Sequence, residues 1–176
     1  MRLGKGPLHE AGQATMDVLT PGQRQKNMKA IRSRGSKLER ILGRGLHARG
    51  FRYRLNVKRL PGTPDLVFTK HHAVIFAHGC FWHGHGCHLF KVPATGRDFW
   101  LAKIEANMAR DTRDTEALSD LGWRVLSVWE CALRGRTKQP LDVVLDQCAE
   151  FLMGERQRDV IRGFADQRDT RRAPHT

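Results

Sequence analysis

Residues 36–50 carry the most regular pattern of apolar and polar positions in the chain. Ser36 and Glu39 have the spacing of a capping box, which signals the start of a helix. The apolar residues that follow at helical spacing are Leu38, Ile41, Leu42 and Leu46. Because Gly50 is typical of the position just past a helix end, the pattern predicts one helix in this range.

Three short strands are predicted after this helix. Residues 51–55 alternate between apolar side chains and arginines, which is the period of a half-buried strand. The turn residues of LPGTPD separate this segment from the apolar triplet 66–68. Residues 73–77 form an unbroken apolar run, which is typical of a strand buried on both faces.

The second half of the chain predicts helices and one further strand. Apolar residues at helical spacing in the range 99–121 predict one or two helices that end at Gly122. The segment WRVLSVW at 123–129 predicts a strand, and residues 140–154 predict a helix that begins at a proline and ends at a glycine. This order predicts an α/β fold in which helices flank a mixed sheet.

One domain over residues 20–154 contains all of these elements. Residues 1–19 and 155–176 have no apolar period and predict flexible tails, of which the C-terminal one is basic. No apolar run approaches the roughly 18 to 20 residues that span a bilayer, and the N-terminal residues lack the apolar segment of a signal peptide. We therefore expect a cytoplasmic protein without membrane contact.

The positive charge lies in the first hundred residues. The chain carries 31 Lys and Arg against 18 Asp and Glu, a formal net charge of +13, and the first hundred residues hold 18 basic and 5 acidic side chains. Such a field disfavours a basic partner and attracts polyanions, of which nucleic acid is the commonest. In a helix predicted to open at Thr20-Pro21, the candidate phosphate contacts are Arg24, Lys26 and Lys29. A solvated helix face would show the same pattern.

Cysteine and histidine concentrate in one glycine-rich loop. The sequence CFWHGHGC places Cys80, His85 and Cys87 within eight residues, and Cys131 follows the predicted strand 123–129. A tetrahedral structural zinc ion takes four such ligands, although the spacing is not that of the usual C-x-x-C knuckles and free buried thiols are the alternative. Cys148 shares the apolar face of the last predicted helix, so we interpret it as a core residue.

Asp65 ends the turn GTPD directly before the predicted strand 66–68. Metal-dependent cleavage of a phosphodiester needs a hard oxygen ligand for Mg²⁺ beside a group that positions or deprotonates water. His78 and His83 flank Cys80 where the adjacent strand ends, so we expect the three side chains to converge. The turn alone is a weak signal, because a turn that ends in Asp is common in proteins that bind nothing.

Longer motifs connect these residues to a known family. They are HGCFWH at 78–83, CHLFKVPAT at 87–95 and GWRVLSVWECAL at 122–133. With the residues between them, the chain from about Gln23 to Glu150 resembles the very short patch repair endonucleases, bacterial mismatch endonucleases with a restriction-endonuclease-like fold. The resemblance implies an enzyme that nicks one strand of duplex DNA beside the T of a T·G mismatch, which arises when 5-methylcytosine deaminates.

The resemblance implies two metal sites. Asp65 and the backbone carbonyl of Ala77 would bind the catalytic Mg²⁺. The structural Zn²⁺ would be bound by Cys80, His85, Cys87 and Cys131. Two departures concern the first site: Thr is common in the family where this chain has Ala77, and the strand has Phe76-Ala77-His78 where restriction-type nucleases pair an acid with a lysine. Asp65 must therefore contribute more of the metal binding.

Catalytic and DNA-binding residues follow from the same resemblance. His83 would be the base for the attacking water, Glu39 would steer its imidazole, and His78 would be a second imidazole near the phosphate. A role in the capping box is the alternative for Glu39. The aromatic residues that would enter the duplex beside the mismatch are Phe81, Trp82 and Trp100. For Trp100 the alternative is a place in the core.

Double-stranded DNA with a T·G mismatch is thus the implied substrate of a monomeric enzyme, with mismatch-repair proteins and a repair DNA polymerase as candidate partners. Two alternatives stay open. One is a non-catalytic protein that binds DNA mismatches and is stabilised by zinc, in which Asp65 is only a turn residue. The other is a nicking enzyme of the same fold that acts on another lesion or a nonspecific site.

Overall fold

A computed structural model describes residues 35–165, which form a five-stranded sheet with helices on both faces. The predicted tail at 1–19 lies outside the described residues, as does the predicted basic helix. The same holds for its three candidate phosphate contacts: Arg24, Lys26 and Lys29. Their roles therefore stay predictions.

The described part of the chain contains three α-helices, two short 3₁₀ helices and five strands. The α-helices are α1 (Lys37–Ala48), α2 (Arg97–Asp120) and α3 (Leu141–Met153). The strands are β1 (Arg54–Leu55), β2 (Leu66–Phe68), β3 (Ala73–His78), β4 (Arg124–Trp129) and β5 (Arg158–Ile161). None of these helices is long and apolar enough to cross a membrane. The mixed α/β architecture predicted from the sequence is confirmed.

The sheet is mixed, with the strands in the order β1-β2-β3-β4-β5. The pairs β1/β2 and β2/β3 are antiparallel, whereas β3/β4 and β4/β5 are parallel. Because β2 and β3 run in opposite directions, the start of β2 lies beside the end of β3. Asp65, which directly precedes β2, and His78, which ends β3, therefore lie at the same end of the sheet.

Each face of the sheet packs against different helices. The core between the sheet and helices α1 and α3 includes Leu42, Leu46, Leu66, Phe68, Ile75, Leu126, Leu145 and Phe151. A smaller core under α2 contains Val67, Val74, Phe76, Leu118 and Val125. Since strand side chains alternate between faces, His78 points to the α2 side together with Phe76. Cys148 is 0% exposed in the larger core, which confirms its predicted place.

Most helices and strands lie where the local sequence patterns predict them. The Ser36 hydroxyl accepts a hydrogen bond from Glu39 N–H, and the Glu39 carboxylate accepts one from Ser36 N–H, so the capping box is present. Residues 97–120 form one helix rather than two. The strand predicted over 51–55 is limited to two residues, because Phe51 turns into the core and packs edge-on against Phe68.

The predicted flexible tail at 155–176 is wrong for its first part. Residues 158–161 form β5, which pairs with β4 in parallel and places Ile161 in the larger core at 5% exposure. An edge strand of four residues with two apolar side chains is too short to show a period against its charged neighbours. The backbone hydrogen bonds to β4 stabilise it instead.

Candidate active site

Asp65 lies at the corner where β2 begins and β3 ends. Its Oδ2 atom accepts a hydrogen bond of 2.7 Å from the backbone N–H of Ala77. Burial raises the pKa of Asp65 to about 6, and the negative charge of Glu39 adds to the rise, while the hydrogen bond from Ala77 opposes it. The structure thus brings Asp65 and the backbone N–H of Ala77 together, while the role of the Ala77 carbonyl as a metal ligand stays a prediction.

Two stacked histidines lie at the same end of the sheet. The rings of His78 and His83 are 4.2 Å apart between centroids with an interplanar angle of 6°. Burial and the neighbouring His83 lower the pKa of His78 to about 4, so His78 is neutral at neutral pH. Its Nδ1 atom is buried and has no hydrogen-bond partner among residues 35–165.

Asp111 orients the second of these histidines. Its Oδ2 atom lies 2.5 Å from Nδ1 of His83. A carboxylate accepts a hydrogen bond from Nδ1–H, and a neutral imidazole then has its lone pair on Nε2. His83 is 23% exposed at its side chain and can therefore meet water or a ligand. One ligand-type atom each from His78, His83 and Asp111 lies within 4.8 Å of the other two.

Glu39 does not make the contact that the sequence analysis assigned to it. Its two carboxylate oxygens accept hydrogen bonds from the backbone N–H groups of Gly35 and Ser36, at 2.8 and 3.0 Å. Both donors precede the first helical residue, Lys37, so the carboxylate completes the capping box at the start of α1. Asp111, not Glu39, pairs with Nδ1 of His83. Glu39 is a helix cap whose charge acts on Asp65.

Asp111 was missed because its neighbours in sequence, ARDTRD, contain three other charged residues that look like a solvated helix face. A helical register would have found it. Asp111 follows Trp100 and Ile104 by eleven and seven positions, so the three side chains share one face of α2. That face packs against the loop 80–87, which approaches Ile104 at Gly84.

Four side chains at 80, 85, 87 and 131 form a candidate metal centre. The ligand atoms of Cys80, His85, Cys87 and Cys131 all lie within 4.8 Å of one another. Nδ1 of His85 is 3.5 Å from Sγ of both Cys80 and Cys131. Tetrahedral Zn–S bonds of about 2.3 Å and Zn–N bonds of about 2.0 Å separate sulfur from nitrogen by about 3.5 Å. The donor set and its spacing therefore fit a zinc ion.

Neighbouring groups hold this centre in place. The imidazole of His85 stacks on Trp129 at the end of β4, with centroids 4.3 Å apart. Cys80 N–H donates a hydrogen bond of 3.4 Å to the carboxylate of Glu130. A hydrogen bond from the Cys80 thiol lowers the pKa of Cys131, which favours the thiolate form that metals bind.

Phe81, Trp82 and Trp100 form an aromatic cluster next to the histidines. The ring of Phe81 is 5.0 Å from that of Trp82 and 5.5 Å from that of Trp100, and the two tryptophan rings are 6.0 Å apart. All three residues are only partly buried, and none belongs to either apolar core of residues 35–165. The alternative that placed Trp100 in the core is therefore wrong. Lys103 Nζ lies 5.8 Å from the centre of the Trp82 ring.

Helix α2 connects the aromatic cluster to the histidines. Asn107 donates a hydrogen bond of 2.8 Å to the carbonyl of Trp82, and Asp111, one turn later, pairs with His83. The loop approaches this helix closely at Gly84, where a Cβ atom would lie 2.4 Å from Sδ of Met108. Gly84 also has φ +65°, a backbone conformation that favours glycine.

Known proteins similar to this chain include a mismatch endonuclease and nicking enzymes. The family model described as DNA mismatch endonuclease Vsr matches residues 16–89. The DNA mismatch endonuclease Vsr of Escherichia coli (strain K12) is 49% identical over 139 residues, which cover 79% of this chain and 89% of that protein. The type II nicking enzyme V.XorIIP of Xanthomonas oryzae pv. oryzae is 46% identical over 132 residues, which cover 72% of this chain and 97% of that enzyme.

A third relative is more distant. The type II nicking enzyme V.NmeAIP of Neisseria meningitidis is 42% identical over 120 residues, which cover 68% of this chain and 86% of that enzyme. The aligned stretches of 139, 132 and 120 residues are all longer than the segment 16–89 that the family model matches. The resemblance stated from the sequence motifs is confirmed: this chain belongs to the Vsr family of DNA mismatch endonucleases.

Proposed function

We propose that this protein nicks one strand of duplex DNA beside the T of a T·G mismatch that arises from deaminated 5-methylcytosine, and so initiates very short patch repair. One observation carries the proposal. Trp82 of the aromatic cluster and His83 of the histidine pair are adjacent residues, and α2 holds both through Asn107 and Asp111. A DNA-contacting ring and a water-activating imidazole are thus joined by one peptide bond.

The acid at the sheet corner is the proposed site of Mg²⁺. Asp65 would bind the ion together with the backbone carbonyl of Ala77, and the bound ion would supply charge neutralisation at the scissile phosphate. The partly buried Asp65 has a pKa of about 6, so its carboxylate is ionised at neutral pH. Because burial disfavours this charge, a bound cation would stabilise it, which supports the proposed site. This chain has no lysine in the strand segment 76–78, so Asp65 carries the negative charge there without a cationic neighbour from β3.

His83 is the proposed base. Its Nε2 lone pair would accept a proton from the attacking water, while Asp111 fixes the tautomer and stabilises the imidazolium that forms. His78 would contact the phosphate, because its buried Nδ1 has no partner among the described residues and its ring stacks on His83. Glu39 would act on the site only through its charge near Asp65.

The aromatic cluster is proposed to recognise the mismatch. Apolar side chains that enter between base steps unstack them at a cost of a few kcal/mol, and this cost is smallest where pairing is already weak. Phe81, Trp82 and Trp100 present half-buried rings beside the histidines, which supports this role. Lys103 over the Trp82 ring adds positive charge for the phosphate backbone.

Zinc at the four-ligand centre is proposed to be structural. The centre joins both ends of the loop, at Cys80 and Cys87, to Cys131, which lies two residues after β4. A closed set of four protein ligands leaves no position for a substrate. The mixed sheet with its acid and histidines at one end supports a restriction-endonuclease-like fold, and the Type II nicking enzymes among the relatives support nicking of one strand.

A panel of labelled duplexes tests the proposal. The protein is incubated with T·G, U·G and T·A duplexes that have randomised neighbouring bases, in Mg²⁺ and in EDTA. We expect a single-strand nick beside the T of the T·G duplex in Mg²⁺ only. Mismatch binding without a nick would identify the non-catalytic binder, and equal nicking of T·A would identify a nuclease without mismatch selectivity.

A further inference from the structure

The segment that follows β5 crosses directly over the candidate metal centre. Gly163 N–H donates a hydrogen bond of 3.3 Å to Sγ of Cys131. On either side, the side-chain amide of Gln139 donates to the carbonyl of Arg162 at 2.5 Å, and Phe164 N–H donates to the carbonyl of Thr137 at 2.7 Å. These contacts lie beyond Ile161, where pairing with β4 ends, so the sheet does not explain them.

Gly163 approaches the centre so closely that no side chain fits. A Cβ atom there would lie 2.5 Å from Oγ1 of Thr137, 2.6 Å from the carbonyl oxygen of Cys131 and 2.7 Å from that of Thr137. Two of these three atoms belong to the backbone and cannot rotate away. The absence of a side chain therefore permits the hydrogen bond to the Cys131 sulfur.

Thr137 connects this segment to the other side of the centre. Its hydroxyl is 3.4 Å from Nδ1 of His88, which directly follows the candidate ligand Cys87. Residue 137 is buried, with 8% exposure. Loop 80–88, residues 131–139 and the segment 162–164 thus meet at one point.

We infer that Gly163 N–H is a hydrogen-bond donor to the metal-bound Cys131 thiolate, which makes the segment after β5 part of the metal centre. The inference rests on the zinc site of the proposed function. Hydrogen bonds to ligand atoms orient the ligands and typically change metal affinity by 10- to 100-fold. A bond to an ionised sulfur is stronger than one to a thiol, so metal loading also orders β5.

Cadmium-113 substitution tests the hydrogen bond in the intact protein. Nuclear magnetic resonance detects scalar coupling between bound cadmium and an amide proton that donates to its sulfur ligand. We expect coupling to the Gly163 amide proton when cadmium-113 occupies the four-ligand centre. Bound cadmium coupled to cysteine side chains but not to Gly163 overturns the inference, whereas failure of cadmium to bind these cysteines overturns the zinc site itself.

A pair of glycine variants tests the consequence for metal binding. Gly163→Ala introduces the clash described above, while Gly86→Ala, between two candidate ligands, meets no atom within 4 Å. We expect zinc release to a chelator to be about tenfold faster in Gly163→Ala and unchanged within about twofold in Gly86→Ala. Equal release from both variants overturns the inference. Should Gly163→Ala not fold, the cadmium experiment on the wild-type protein decides.

Hydrogen exchange tests whether bound zinc makes β5 more ordered. In the wild-type protein, amides at 158–164 should exchange more slowly with zinc bound than after removal of zinc, by at least tenfold. The amides of β2, which lie on the far side of β3 from β5, should change less. An equal change in both strands would show that zinc stabilises the whole fold without a specific contact at Gly163.

Discussion

Removal of the Asp111 charge gives the sharpest test of the proposed base. Asp111→Asn keeps the size of the side chain and removes the carboxylate that lies 2.5 Å from Nδ1 of His83. When His83 accepts a proton from water, the imidazolium loses its charge partner. The amide can also rotate and donate to Nδ1, which would favour the tautomer with a proton on Nε2. Asp111 is a positioning residue, so its loss should lower the rate and leave DNA binding intact.

The geometry of the pair sets the magnitude. Opposite charges about 4 Å apart attract by about 4 kcal/mol at an effective dielectric of about 20. The two side chains are 23% and 25% exposed, so solvent screens part of this attraction. A loss of about 3 kcal/mol corresponds to about 100-fold in rate, at about 1.4 kcal/mol for each factor of ten.

Single-turnover nicking measures this loss without the influence of product release. The matched control is Asp120→Asn, which removes an exposed carboxylate from the last residue of the same helix, roughly 13 Å farther along its axis at about 1.5 Å per residue. Both variants should bind a T·G duplex equally and contain equal zinc. The reasoning is refuted if both variants nick at the same rate while His83→Ala is inactive.

Further variants separate the metal sites and the aromatic cluster. Asp65→Asn should abolish nicking in Mg²⁺ while mismatch binding persists or tightens, since one negative charge near the phosphates is lost; near wild-type single-turnover nicking would contradict this. The raised pKa of Asp65 lies at about 6, so a proton competes with Mg²⁺ for this carboxylate as the pH falls through 6. The half-saturating Mg²⁺ concentration for nicking should therefore rise about fourfold from pH 7.5 to 5.5. Cys131→Ser should lose zinc and melt at a lower temperature, and full zinc content in this variant would contradict the zinc site. Cys148→Ala should keep about one zinc per chain and lose about 1 kcal/mol of stability. Trp82→Ala should lower the nicking preference for T·G over T·A, and an unchanged preference would place this ring among purely structural residues.

Elements with strong local signals could be predicted from the sequence. The capping box at Ser36 and Glu39, the apolar runs of β2 and β3 and the apolar face of α3 each depend on residues within one segment. The candidate metal centre could also be predicted, because three of its four candidate ligands lie within eight residues. Only Cys131 comes from a distant segment, and the end of a strand placed it correctly.

Features that depend on contacts between distant segments could not be predicted. β5 exists because four residues pair with β4, and nothing in RDVI differs from the charged segment around it except two apolar side chains. The partner of His83 depended on which carboxylate reaches Nδ1 in three dimensions. Glu39 had the right charge, but the backbone N–H groups of Gly35 and Ser36, just before its own helix, already satisfy its oxygens. Asp111 is 28 residues from His83 and meets it only through the packing of α2.

The loop at 80–87 has neither helical nor strand period, yet it holds the side chains of the proposed base and the proposed DNA contact in place. Its ends are the candidate ligands Cys80 and Cys87, so a metal at this centre fixes both ends. Its middle is fixed from α2, because Asn107 binds the carbonyl of Trp82 and Asp111 binds the imidazole of His83. Two sets of contacts therefore restrain a segment of eight residues, and a shift of α2 would displace Trp82 and the proposed base His83 together.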